Sequence, residues 1–246
     1  MDLNELHPFR IRDAIKFHDE LNPKLWWGNN LQPRVRKQLV KIARDFIEYL
    51  GIDKLNIVDV TISGSNAAYT YTKHSDIDLH IVVDMDNLNP DSVYRELFSD
   101  KKQLYNQGRK ITIHGIDVEC YVQDSGEPAR TLGEYSVKTG KWIKFPTKTR
   151  ANYDERSTKL KYEKLRHIIE RAISTGDSTL IGVLLKKISK YRSAGLEKGG
   201  EFSPENLVVK AIRSQGAIDK LYKMRDKLRG RELSIESIPD KFSQYR

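Results

Sequence analysis

The sequence reads as an α+β protein: a mixed sheet with flanking helices, followed by a C-terminal α-helical domain. Three observations lead there. β-branched runs such as 56–62 and 79–83 alternate with helix-spaced apolar positions before residue 146, and two strands bracket a turn at Gly115. After Pro146 the strand pattern stops, and three long helical stretches follow. This gives a sheet-bearing domain over 1–148, with an N-terminal helical extension over 1–30, and a basic helical domain over 149–246.

Residues 10–27 mix charges with Phe17, Leu21, Leu25, Trp26 and Trp27, which predicts an N-terminal helix and a lid on part of the core. From Pro33, the positions Val35, Leu39, Ile42, Phe46 and Leu50 recur at helical spacing, and Gly51 suits a C-cap. The strand 56–62 runs into the small-residue turn Ser63-Gly64-Ser65, and a short helix is expected over 66–71. A second strand carries Asp76-Ile77-Asp78 on to Val83, closed by a turn at 87–90. Residues 91–106 read as a helix with Val93, Leu97 and Leu104 on one side. Strands at 111–113 and 117–123 follow, then an edge hairpin of 135–137 and 142–145. The helical stretches span about 153–175, 177–192 and 204–229, with a glycine-rich loop over 195–200 and Ser203-Pro204 starting the last.

Composition narrows the function classes. Hydrophobic residues at 38% and charged residues at 31% suit a globular chain with a wide polar surface. No apolar run approaches the roughly 18 residues needed to cross a bilayer, so no membrane partner is expected. The segment Met1–Arg10 carries Asp2 and Glu5 without an apolar core, unlike a secretory signal, so a cytoplasmic location is expected. Cys120 lacks a partner for an internal disulfide and reads as a buried strand position between Val118 and Val122. The net charge of +9 is unevenly spread: 22 of the 43 basic and 21 of the 34 acidic residues lie in 1–150, leaving 21 and 13 beyond. A basic domain beside a near-neutral one suits a polyanion, nucleic acid being the commonest, although a solvated lysine-rich helical surface reads the same way.

Side chains alternate faces along a strand, so Asp76 and Asp78 point the same way with about 7 Å between their α-carbons. Two carboxylates on one face repel, and a divalent cation beside them removes that cost while attracting phosphate oxygens. Paired Mg²⁺ ions about 3.5–4 Å apart can activate an attacking hydroxyl and neutralise departing pyrophosphate. Gly64-Ser65, ending the preceding strand, lets backbone approach a triphosphate and supplies N–H and hydroxyl donors.

Gly64-Ser65, the ten residues 66–75, and Asp76-Ile77-Asp78-Leu79 together resemble the signature of nucleotidyltransferases of the DNA polymerase beta superfamily, and Ser75 before Asp76 is also typical of it. The resemblance covers roughly residues 35–125 with specific motifs. It implies a nucleotidyltransferase-type sheet and two Mg²⁺ (or Mn²⁺) ions on Asp76 and Asp78. It further implies a nucleoside triphosphate such as ATP seated by Gly64, Ser65, Ser75 and Lys73, and a third carboxylate on a later neighbouring strand. That family usually places an aspartate third, whereas this chain offers Glu119, central in its strand, with Asp117 on the same face in reserve. RNA or a tRNA 3′ end is the favoured acceptor, with a protein hydroxyl, a small molecule or an idle nucleic-acid-binding or phage structural module as alternatives. Segment 195–203 is similar to stretches of uncharacterised tailed-phage proteins, which would place the chain in a host cytoplasm.

Several neighbours are weighed with this site. His80 shares the carboxylate face but suits a structural place in the sheet, His74 and Lys73 lie in the preceding loop, and Tyr69 and Tyr71 suit stacking or packing. Lys159, Lys161 and Lys164 open a helix that related enzymes place across the cleft. The basic groups 186–192 and 220–231 are candidate grips for a nucleic-acid backbone.

Overall fold

The computed structural model describes residues 6–52, 55–85, 91–127, 131–148 and 153–234. The chain divides into two compact units, Ile15–Ala151 and Met1–Ala14 with Asn152–Arg246. The second division falls near the expected 148/149. The N-terminal stretch, however, is shared between the units. Leu6 and His7 offer their carbonyls to Arg166 (3.2 Å) and to the Tyr162 hydroxyl (2.6 Å), and Phe9 packs on the Tyr162 ring, which draws residues 6–14 to the helical unit.

The sheet unit opens with a two-stranded ribbon, β1 (Trp26–Trp27) and β2 (Asn30–Leu31), followed by α2 (Pro33–Leu50). The helix expected over 10–27 is confined to α1 (Ile11–Ala14), in the other unit. Leu21, Leu25 and Trp26 are instead buried in the core as irregular chain and ribbon, and hydrophobicity without helical spacing is what that requires. Helix α2 ends as expected at Gly51, whose φ of 61° is left-handed.

Six strands follow in the spatial order β5-β6-β4-β3-β7-β8. They are β3 (Ile57–Ser63), β4 (Ile77–Val83), β5 (Thr112–Ile113), β6 (Ile116–Asp124), β7 (Glu134–Ser136) and β8 (Lys141–Lys144). Among the described strands only β4 and β6 pair in parallel, with α3 (Asp91–Gly108) in the connection between them; the other pairs are antiparallel. The short helix expected over 66–71 is a single 3-10 turn at Ser65–Ala67. The turn expected at 87–90 lies outside the described residues.

Alternation sorts the sheet into two faces. Ile62, Leu79, Ile81, Val83, Val118 and Cys120 form one core with Val35, Leu39, Phe46 and Leu50 of α2. Burial pushes the Cys120 thiol up to about 12, as suits an inert core thiol. The apolar face expected for α3 is corrected: Val93 and Leu104 are 59% and 61% exposed, whereas Phe98 and Tyr105 are buried. Aromatic packing sets that rotation. Tyr105 lies 4.7 Å from Phe46 and 5.3 Å from Tyr49, centroid to centroid, and its hydroxyl donates to Asp45 at 2.7 Å. The next residue, Asn106, pairs with both backbone groups of Cys120 at 3.0 Å, standing in for a strand along the edge of β6.

The helical unit contains α4 (Glu155–Thr175), α5 (Ser178–Gly199), α6 (Pro204–Ser214) and α7 (Ala217–Leu233). Asp154, Asp177 and Ser203 cap the first three by accepting from amides of their opening turns. Two expectations change. The loop over 195–200 is largely helix, because Gly195 serves close packing: a Cβ there would lie 2.5 Å from Glu205 Cβ. The single helix 204–229 is two, broken at Gln215-Gly216, where Gly216 adopts φ 75°.

Candidate metal and nucleotide site

The polar face of the sheet is built by register. Asp78 of β4 pairs with Glu119 of β6 and, on its other side, with Ser63 of β3. Parallel neighbours at one register stand about 4.8 Å apart, so the two carboxylates are adjacent. Asp76 lies two residues before Asp78, just ahead of the strand, and its side chain reaches the same place. One oxygen from each of Asp76, Asp78 and Glu119 lies within 4.8 Å of the others, and all three residues are half-buried. Asp117, the reserve choice, is exposed, paired with Thr112, and outside this group.

Gly64 closes the site from β3. Its φ of 76° and ψ of −160° belong to a region that only glycine occupies without strain, and a Cβ would stand 2.1 Å from Asp78 Oδ2. Glycine is therefore required twice here, once for conformation and once for space. The Gly64 amide donates to Thr131 Oγ1 (3.2 Å). Ser65 and Ser75 also turn inward. Ser65 Oγ donates to Ser75 Oγ (2.7 Å), which accepts from the Thr72 amide as well (2.9 Å), so the two hydroxyls brace the loop between the motifs. Lys73 is exposed in that loop.

Composition hid three supporting residues, Asn66, Tyr121 and Lys102. Buried Asn66 accepts from Asn22 Nδ2 (2.8 Å), donates to the Asp76 carbonyl (2.7 Å), and takes the Trp26 indole N–H on its own carbonyl (2.8 Å). It thus ties the backbone of the first carboxylate to the core. Asn66→Ala takes the Asn66 partner from the Asn22 amide and from the Asp76 carbonyl, and we expect denaturant unfolding to show a loss of about 2–3 kcal/mol. An unchanged midpoint would contradict this role. Tyr121 donates its hydroxyl to Glu119 Oε2, and its pKa is raised, first by burial and then by Asp78 and Glu119, so it stays a donor. Tyr121 lies two residues beyond Glu119, so strand periodicity could have found it.

The Tyr121 ring is held on both sides. Lys102 Nζ sits 4.4 Å from the ring centroid, and the His80 ring stacks 5.1 Å away at 18°. Burial lowers the Lys102 ammonium, while Glu119 and Asp78 hold it up. No sequence signal pointed to Lys102, because the aromatic packing of α3 decides where it faces. His80 takes the structural place expected of it, with Nε2 3.1 Å from Ser63 Oγ.

Burial, then Lys102, lowers His80 to about 4, against a weaker opposing hydrogen bond from Gln123. The unfolded chain takes up this proton as pH falls through about 6.5, whereas the folded chain resists until near 4. The His80 contribution is therefore complete above pH 6.5 and is lost as pH falls toward 4. Urea unfolding at about pH 7 and 4.5 should differ by roughly 2–3 kcal/mol from this residue. His80→Gln should remove that part of the slope; an identical slope in the variant would contradict the assignment.

Several of the other candidates have partners within their own units. Tyr69 is buried in the core and Tyr71 stacks on His18 with centroids 3.7 Å apart, so both pack. In the helical unit, Lys159 pairs with Glu155 (2.7 Å) and Lys161 with Glu205, while Lys186, Lys187 and Lys190 are exposed along α5, and Lys223, Lys227, Arg229 and Arg231 along α7.

The fold and site thus define a mixed-sheet α+β protein with a carboxylate triad closed by an obligate glycine. Comparison with protein-family models, curated proteins and solved structures returned no match. No helix among the described residues is long and apolar enough to cross a membrane.

Proposed function

We propose that the protein is a nucleotidyltransferase that moves a nucleoside monophosphate from a nucleoside triphosphate to an acceptor hydroxyl. The observation carrying this reading is the convergence of Asp76, Asp78 and Glu119 beside Gly64, the residues of the motif that resembles the DNA polymerase beta superfamily. Three hard oxygen donors suit Mg²⁺ or Mn²⁺ rather than a soft metal. Asp76, Asp78 and Glu119 would hold the ions, which when bound supply charge neutralisation for the triphosphate and a lowered pKa for the attacking hydroxyl.

The chain's own residues do the rest. Gly64 keeps the space in front of Asp78 open to a phosphate. Tyr121 holds Oε2 of Glu119, so its other oxygen can serve a cation. Lys102 adds a positive charge near the group, favourable to a developing phosphate charge. The acceptor oxygen forms a bond to the α-phosphorus and loses its proton, and the bond to the leaving pyrophosphate breaks. RNA, including a tRNA 3′ end, is the acceptor favoured by the basic character of 151–246.

The test is label transfer from each α-³²P nucleoside triphosphate with Mg²⁺, using total RNA or cell lysate as acceptor. Label in RNA supports the full reading, and label in protein or a small molecule keeps the chemistry while replacing the acceptor. Absence of label with every triphosphate contradicts the proposal.

A further inference from the structure

At the opposite end of the sheet from Glu119, the strand β8 is the outermost of the described strands. Its neighbourhood exposes large apolar groups: Trp27, Ile143 and Phe145 are 65%, 56% and 45% exposed. Trp142 ties Phe145 and the ribbon that carries Trp27 together. Its ring stacks on buried Trp26 (4.7 Å) and meets Phe145 edge-on (5.1 Å), while its indole N–H donates to the Asn29 carbonyl in the turn that displays Trp27. Trp27 and Phe145 are thus exposed on either side of the half-buried Trp142 contacts.

The exposed charge of segment 131–148 is basic. Lys138, Lys141 and Lys144 are exposed, whereas the only carboxylate in 131–148, Glu134, is buried. This edge also leads to the carboxylate site. Lys144 Nζ donates to the Thr131 carbonyl (2.5 Å), and Thr131 Oγ1 accepts the Gly64 amide (3.2 Å).

We propose that the β8 edge, with Trp27, Ile143, Phe145, Lys138, Lys141 and Lys144, binds a single-stranded polynucleotide. Exposed rings stack on bases of any sequence, and lysines beside them track the phosphates. A second copy of the chain fits less well, because edge-to-edge pairing of so short a strand would bring its lysines against those of its partner. The role of the bound strand as acceptor rests on the nucleotidyl-transfer reading; the binding itself does not.

The experiment is fluorescence anisotropy of labelled U20 RNA and T20 DNA with the full chain over a range of salt, alongside sedimentation of the protein alone. Trp27→Ala and Phe145→Ala should each weaken binding about tenfold. Lys141→Ala should lower the salt slope by about 0.7. Preference between U20 and T20 distinguishes RNA from DNA, both within the proposal. Failure of wild type to bind either oligonucleotide overturns it. So does unchanged affinity in a folded Trp27→Ala/Phe145→Ala double variant, or a protein dimer abolished by those substitutions while oligonucleotide binding persists. Binding through Trp27 without label transfer keeps this surface and removes the nucleotidyl-transfer reading instead.

Discussion

Asp78→Asn is expected to lower nucleotidyl transfer by about 10³-fold or more while leaving the fold intact. Asp78 is the shared member of the group, flanked by Glu119 on one strand and Ser63 on the other. An amide of the same shape keeps the packing and removes the charge on which cation and triphosphate binding depend. The same substitution relieves repulsion among the carboxylates. In metal-free buffer the variant should therefore unfold at a temperature equal to or above that of wild type, whereas a structural role for the charge would lower it. Thermal melts in EDTA, run beside the label-transfer assay, read both effects.

Gly64→Ala should disable the site from the other side and also lower stability. The backbone at φ 76°, ψ −160° strains any side chain, at about 1–3 kcal/mol, and the new Cβ would meet Asp78 Oδ2 at 2.1 Å. The carboxylate or the loop must move, and a shift near 1 Å suffices for about a 10²-fold loss of rate. Activity and chemical denaturation measured on one preparation check this. A variant with wild-type activity would show that Gly64 is an ordinary turn residue.

These predictions rest on features legible in the sequence to different degrees. The strand pair with its Gly-Ser turn and Asp-Ile-Asp segment was legible, because β-branched runs and period-2 spacing are local signals. Glu119 over Asp117 was legible as a preference, and register supplies the reason, since only Glu119 stands opposite Asp78. Local signals failed where packing decided the outcome. Val93 and Leu104 looked like a core stripe, but Tyr105 and Phe98 turn α3 away from it. Gly195 looked like a loop and is a helix contact. Asn66 and Lys102 had no signal, since each acts through partners distant in sequence.

The account depends on Asp76, Asp78 and Glu119 acting together as a divalent-cation site. Titration of Mn²⁺ followed by electron paramagnetic resonance tests that most directly. Wild type and Asp117→Asn should bind the ion alike, and Asp78→Asn and Glu119→Gln should each lose it. Binding that survives both of those substitutions, or that disappears with Asp117→Asn, would contradict the site as drawn.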